Sequence, residues 1–174
     1  MEKGCDKIFG DKSKFAIEAK LWQLDENPIF ISWCLWIKSN QVGNIDQGAL
    51  LSAELGRISD VAKHKGERYV PPVDMAANNL TDKLVDAIWD GDCHYLPQPL
   101  SGHIDILSQH GECFQGYFIF LVEQEGYEWL LAKDNIDNRY YNIKLPSGML
   151  YSFFEEFSAW IANSTILTIR TDKA

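Results

Sequence analysis

Five side chains able to bind a metal or act as thiols fall between positions 93 and 113: Cys93, His94, His103, His110 and Cys113. Their types suit zinc, which takes thiolate and imidazole ligands. Their spacing matches no common zinc pattern, and the flanking sequence is irregular. Cys93 and His94 are neighbours in the chain, so on an extended segment their side chains point to opposite faces and make a poor thiol–imidazole dyad. A small metal- or thiol-dependent enzyme built on these five residues is therefore the alternative reading. Carboxylate pairs can do acid–base work only where an apolar pocket separates their pKa values. The acidic residues here fall on helix and loop patterns that read as solvated. The chain lacks a Gly-rich phosphate loop, a GxSxG, an HExxH and a CxxC. The sequence thus predicts no catalytic residue, no metal ligand and no cofactor.

What stands out is where the charge lies. Residues 1–70 hold ten Lys+Arg and ten Asp+Glu, whereas residues 71–174 hold six and fifteen, which supplies the whole net charge of −9. From Asp74 to Glu128 the one Lys or Arg is Lys83, set against Asp74, Asp82, Asp86, Asp90, Asp92, Asp105, Glu112, Glu123, Glu125 and Glu128. Such a segment is either a solvating face or an electrostatic template for a basic partner protein. Two patches are the candidates for the second role, and both are expected to be exposed. One is a helical ridge, Asp82, Asp86 and Asp90 with Asp92 beyond it. The other is a hairpin tip, Glu123, Glu125 and Glu128. Like charges at i, i+4, i+8 repel, and Lys83 offsets only part of that repulsion.

The elements that must position these residues follow from composition and period. A chain of 174 residues, 46% hydrophobic and 13% aromatic, is expected to be one domain over 1–174, with a real core and little disorder. Its acidity argues against direct contact with nucleic acid or anionic lipid. The N-terminus shows no apolar leader, and the runs Ile29–Ile37 and Tyr117–Val122 are too short to span a bilayer. A cytoplasmic location with reduced cysteines is the expectation.

Alternation predicts a half-buried strand over Phe15–Leu21, and an apolar, β-branched and aromatic run predicts a central strand over Ile29–Ile37. Asn40–Asn44 reads as a turn, Ala49–Leu55 as a third strand, and Arg57–His64 as a short helix. A helix capped by Asp74 is expected to run to about Asp90, with Ala77, Leu80, Leu84, Val85 and Ile88 as its apolar stripe. Gly91–Gly102 reads as a loop. Phe114–Glu123 and Tyr127–Lys133 form a hairpin through Glu125-Gly126, and Tyr140–Leu145 is a further strand. Leu150, Phe153, Phe154, Phe157, Trp160 and Ile161 repeat at helical spacing over Met149–Asn163. Thr165–Arg170 would add an edge strand. The fold class is α+β, with a mostly antiparallel sheet covered by a few helices. Trp33 or Trp36, Trp129 and Trp160 fall on core-periodic positions.

Three segments carry a resemblance: IFGDKSKFAIEAKLW, the acidic-tipped hairpin FLVEQEGYEWLLAK, and the strand–turn–helix YYNIKLPSGMLYSFFEEFSAWI. Together they resemble the immunity protein 42 family of bacterial polymorphic-toxin and contact-dependent growth inhibition systems. The resemblance implies a cytoplasmic antidote that binds the C-terminal toxin domain delivered by a sibling cell. It carries over no catalytic residues and no contact residues. On the chain's own charge, the toxin-binding candidates are Asp82, Asp86, Asp90, Asp92, Glu123, Glu125 and Glu128. A basic toxin domain such as a nuclease would complement them, since nucleases are basic in order to bind phosphate.

Overall fold

The computed structural model describes residues 2–24, 28–91, 96 and 101–164. The fold is α+β, as the sequence predicts, but the strands divide between two antiparallel sheets. The first contains β1 (Glu2–Asp11), β2 (Phe15–Leu24), β3 (Phe30–Ile37) and β4 (Asn40–Val42) in that order, with the short β5 (Ala49–Leu50) also on β3. The Asp11 carboxylate accepts from the Ser13 N–H at 2.8 Å and the Ser13 hydroxyl at 2.7 Å, which closes the β1–β2 turn. Lys38 and Ser39, at φ 50° and 68°, make the tight β3–β4 turn without a glycine.

The segment expected as a third strand is mainly helix: α1 spans Leu51–Lys63 and turns Leu51, Glu54, Ile58 and Val61 inward. That spacing is a helical stripe, and the run ALLSAEL is too short to show it alone. The helix expected from Asp74 to Asp90 is shorter. α2 covers Ala77–Val85 and continues as one π-helical turn, Asp86–Asp90, which Gly91 ends at φ 77°. Asp74 does not cap it; the N-cap is Ala76.

The second sheet is β6 (Tyr117–Gln124), β7 (Tyr127–Asp134) and β8 (Arg139–Pro146), followed by α3 (Met149–Ala162). Its two faces alternate in role. Ile119, Leu121, Leu130, Ala132, Ile143 and Leu145 join the main core with the first sheet, α1 and α3. Phe120, Val122 and Leu131 face the other way and pack on Leu80 and Leu84 of α2. The aromatic stripe of α3 meets the first sheet directly: Phe157 lies 5.4 Å from Phe9 and 5.3 Å from Trp33, and Phe153 lies 5.2 Å from Phe15. The edge of β6 away from β7 is not bare. Residues Arg68–Val70 and Ile104–Ile106 hydrogen-bond along it, which covers a row of open backbone groups and brings two distant segments together. Thr165–Arg170, expected as an edge strand, lies outside the described residues.

Candidate functional site

The two acidic patches have different fates. On the ridge, Asp82 faces the second sheet. Its carboxylate accepts from Lys133 Nζ at 2.7 Å and from the Tyr140 hydroxyl at 2.8 Å. Asp86 lies 3.4 Å from Lys83 Nζ. The expected unrelieved repulsion is therefore absent: one carboxylate anchors α2 to β7 and β8, and the next is paired along the helix. Asp86 and Asp90 remain at the surface, and Asp92 lies outside the described residues.

The π turn changes what surrounds them. Its wider turn carries Ile88 out of line with Leu80 and Leu84, so a residue expected in the apolar stripe is 37% exposed. Trp89 beside it is 48% exposed. The Trp89 ring packs edge-to-face with Phe118 at 5.5 Å, and its side chain lies beside Asp105. Burial pushes the Asp105 carboxyl up, and the hydrogen bonds of Ser108, with the adjacent Trp89 side chain, hold it back in part. The site at the end of α2 is thus a fixed but open tryptophan with an isoleucine at its side and aspartates on the same turn. The tryptophan and isoleucine did not enter the acidic reading of the sequence. A π turn has no sequence signature that would have moved Ile88 outward.

The hairpin patch is mostly structural. Glu123 and Glu128 face each other across β6 and β7, a destabilising pair unless each finds donors. Glu128, expected to be exposed, is 1% exposed. It accepts from the backbone N–H groups of Gly148 and Leu150, the latter at 3.0 Å, and so closes the N-terminus of α3. Burial and the facing Glu123 carboxylate raise the Glu128 pKa, while the two N–H groups pull it down in part. Glu123 is half-buried. It takes the N–H groups of Gly66 at 2.7 Å and Arg68 at 3.1 Å, together with the Tyr151 hydroxyl. Only Glu125 of this trio is exposed. The expectation of an exposed tip fails because an inward-facing carboxylate on β7 sits directly beneath the start of α3.

Among the described residues, Cys113, His103 and His110 of the sulfur–histidine set do not come together at one site. Cys113 is buried, with its thiol at 3.1 Å from the Gln47 carbonyl, and burial raises its pKa. Cys34 is likewise buried, pushed up to about 12, and packs as a hydrophobe. His110 accepts from Arg57 at Nδ1, 3.3 Å away, which places its proton on Nε2, 3.4 Å from Glu54. Glu54 is buried and also takes the Trp33 indole N–H at 3.1 Å. Burial pushes Glu54 up, but the adjacent His110 ring and the Trp33 N–H outweigh it, and the net shift is downward. His103 stacks on His64 instead. Cys93 and His94 lie outside the described residues.

A family model, Immunity protein 42, matches residues 8–160. The chain belongs to the immunity protein 42 family. Among solved structures, this family member resembles the crystal structure of CdiI from Burkholderia dolosa AUO158, at 16% identity and a TM-score of 0.62, covering 88% of this chain and 99% of that one. At that identity the likeness is one of fold. A comparison with curated protein sequences gives no match. Among the described residues no helix is long and apolar enough to cross a membrane.

Proposed function

We propose that this immunity protein is a cytoplasmic, non-enzymatic antidote that binds and neutralises a cognate toxin C-terminal domain delivered by contact-dependent growth inhibition. The binding face is the end of α2: Asp86 and Asp90 with Ile88 and Trp89 between them, flanked by Asp82 and by Asp92 in sequence. The toxin domain is basic, in the manner of a nuclease, and the antidote touches neither nucleic acid nor membrane directly. Family membership supports the neutralising role. The observation that carries the binding face is Trp89, half exposed yet held by Phe118 and Asp105. Interfaces concentrate their energy in such aromatic anchors, while surrounding charges steer the approach. A standard interface buries about 800 Å² on each partner, so this turn would be its centre and not its whole extent. Glu125 is a peripheral contact on this reading, and Glu123 and Glu128 act through the fold.

Co-expression with the cognate toxin domain tests the function. Cells carrying the pair should grow, and cells carrying an unrelated toxin of the same systems should arrest. Growth arrest by the cognate toxin, despite soluble antidote, would contradict the immunity reading.

A further inference from the structure

Arg68 is 2% exposed, yet it carries a full charge into the junction between α1, β6 and the 101–105 loop. Its guanidinium donates to main-chain carbonyls on both sides of that junction. Two of these belong to histidines: His64 at 3.1 Å and His103 at 2.6 Å. The same residue's backbone pairs with β6, so the turn after α1 and the loop before Asp105 are held in one place. Both histidine rings then face each other, 3.6 Å apart and 10° from parallel. Glu67 completes the group. Its Oε2 lies 3.0 Å from His64 Nδ1 and 3.4 Å from His103 Nε2, and its backbone N–H bonds the His64 carbonyl.

We propose that His64, Glu67 and His103 form a binding site for a divalent transition metal of the zinc class. The three donor atoms all lie within 4.8 Å of one another. In a tetrahedral zinc site with bonds of about 2.0–2.1 Å, neighbouring donors are about 3.3–3.4 Å apart. The two carboxylate–imidazole separations already bracket that edge. The rings need only splay for both nitrogens to reach one ion, and His103 is exposed enough to tilt. Two imidazoles and one carboxylate are a borderline donor set that suits zinc over calcium or magnesium, which prefer oxygen alone. The charge balance permits a cation. The adjoining cleft of about 70 Å³ is lined by Arg57 and Arg68 but also by Asp60 and Asp105, and Glu67 adds a third carboxylate. Arg68 acts as the support that fixes both histidine backbones. Three protein donors leave a fourth position open to water or to a side chain of a bound partner. None of the three donors belongs to the α2 face, although Asp105 of the adjoining cleft also meets Trp89, and the proposal does not depend on the toxin reading.

Calorimetric titration of untagged, full-length protein with zinc chloride tests it, alongside the absorption spectrum of the cobalt(II) form. One zinc per chain should bind, and cobalt should give the intense visible bands of four-coordination. His103→Ala and Glu67→Gln should each weaken zinc by more than about tenfold, since even loss of a supporting contact costs about 10–100-fold. Both side chains are at the surface, so both variants keep the fold, which circular dichroism verifies. Magnesium should not compete. Failure to bind zinc at sub-millimolar concentration, or binding that both variants leave unchanged, would overturn the proposal.

Discussion

Glu128→Ala separates a structural carboxylate from a partner-binding one. The carboxylate holds two main-chain N–H groups at the start of α3, at Gly148 and Leu150. Removing it orphans both donors in a buried setting, at about 1–3 kcal/mol each. The favourable field of the helix N-terminus on a carboxylate, up to about 2 kcal/mol in a partly buried site, is lost as well. Against these stands the relief of a buried charge that faces Glu123, a cost visible in the raised pKa of Glu128. We therefore expect a net loss of about 2–4 kcal/mol, at and above the upper end of the usual cost of a point mutation, about 0.5–3 kcal/mol. Glu128→Gln keeps one acceptor oxygen and should lose about half as much. Urea unfolding followed by Trp fluorescence measures both, with an unchanged m-value as evidence that only stability has moved. Toxin affinity of the folded fraction should stay the same. A loss below about 1 kcal/mol for Glu128→Ala would refute the capping role.

Other outcomes follow from the same contacts. Phe157→Ala removes a fully buried ring that packs on Phe9 and Trp33 and should cost about 3–5 kcal/mol, and Trp160→Ala, at a partly exposed position, should cost less; losses below 1 kcal/mol at both sites in denaturant melts would reject this packing. Glu54 is shifted downward in the fold, so its stabilising contribution is complete above the ordinary carboxylate range and is lost as pH falls through that range towards the folded value. The stability advantage of the wild type over Glu54→Gln should therefore shrink on acidification from neutral pH, and an advantage that grows instead would show the wrong sign. Asp82→Ala breaks the tie from α2 to Lys133 and Tyr140 and should cost about 1–3 kcal/mol, kept low by partial exposure, with the loss read from thermal melts and expected to exceed that of Asp86→Ala.

The strongly patterned elements were legible. Ile29–Ile37 identifies itself by an unbroken apolar, β-branched and aromatic run, the hairpin by its Glu125-Gly126 turn, and α3 by a six-residue apolar stripe of helical period. The first strand was not. Glu2–Asp11 is an edge strand rich in charge and poor in alternation, and its pairing with β2 supplies the order that its sequence does not declare. α1 was misread because its first turn shares the apolar run that forms β5. The acidic ridge was legible as a charge pattern, but the partners of Asp82 were not, since Lys133 and Tyr140 come from strands far along the chain. The same holds for Glu128. Its charge was visible, and its burial depended on where α3 begins. His64 and Glu67 lie three apart at a helix end, a spacing that can be read from sequence. His103 joins them only because both segments run along the free edge of β6.

The proposed function centres on the end of α2 as the face where a toxin binds. Stopped-flow association and surface dissociation with the purified cognate toxin domain measure this directly, across a range of salt. For Asp86→Lys with Asp90→Lys, association at low salt should slow by about tenfold or more and lose most of its salt dependence, because rim charges act on the approach. For Trp89→Ala, dissociation should speed up by an amount worth about 2 kcal/mol or more, the mark of a central anchor. Glu125→Lys should change either rate only slightly. If the double reversal and Trp89→Ala both leave association and dissociation unaltered while the folds stay intact, the toxin binds elsewhere and the acidic surface serves solubility alone.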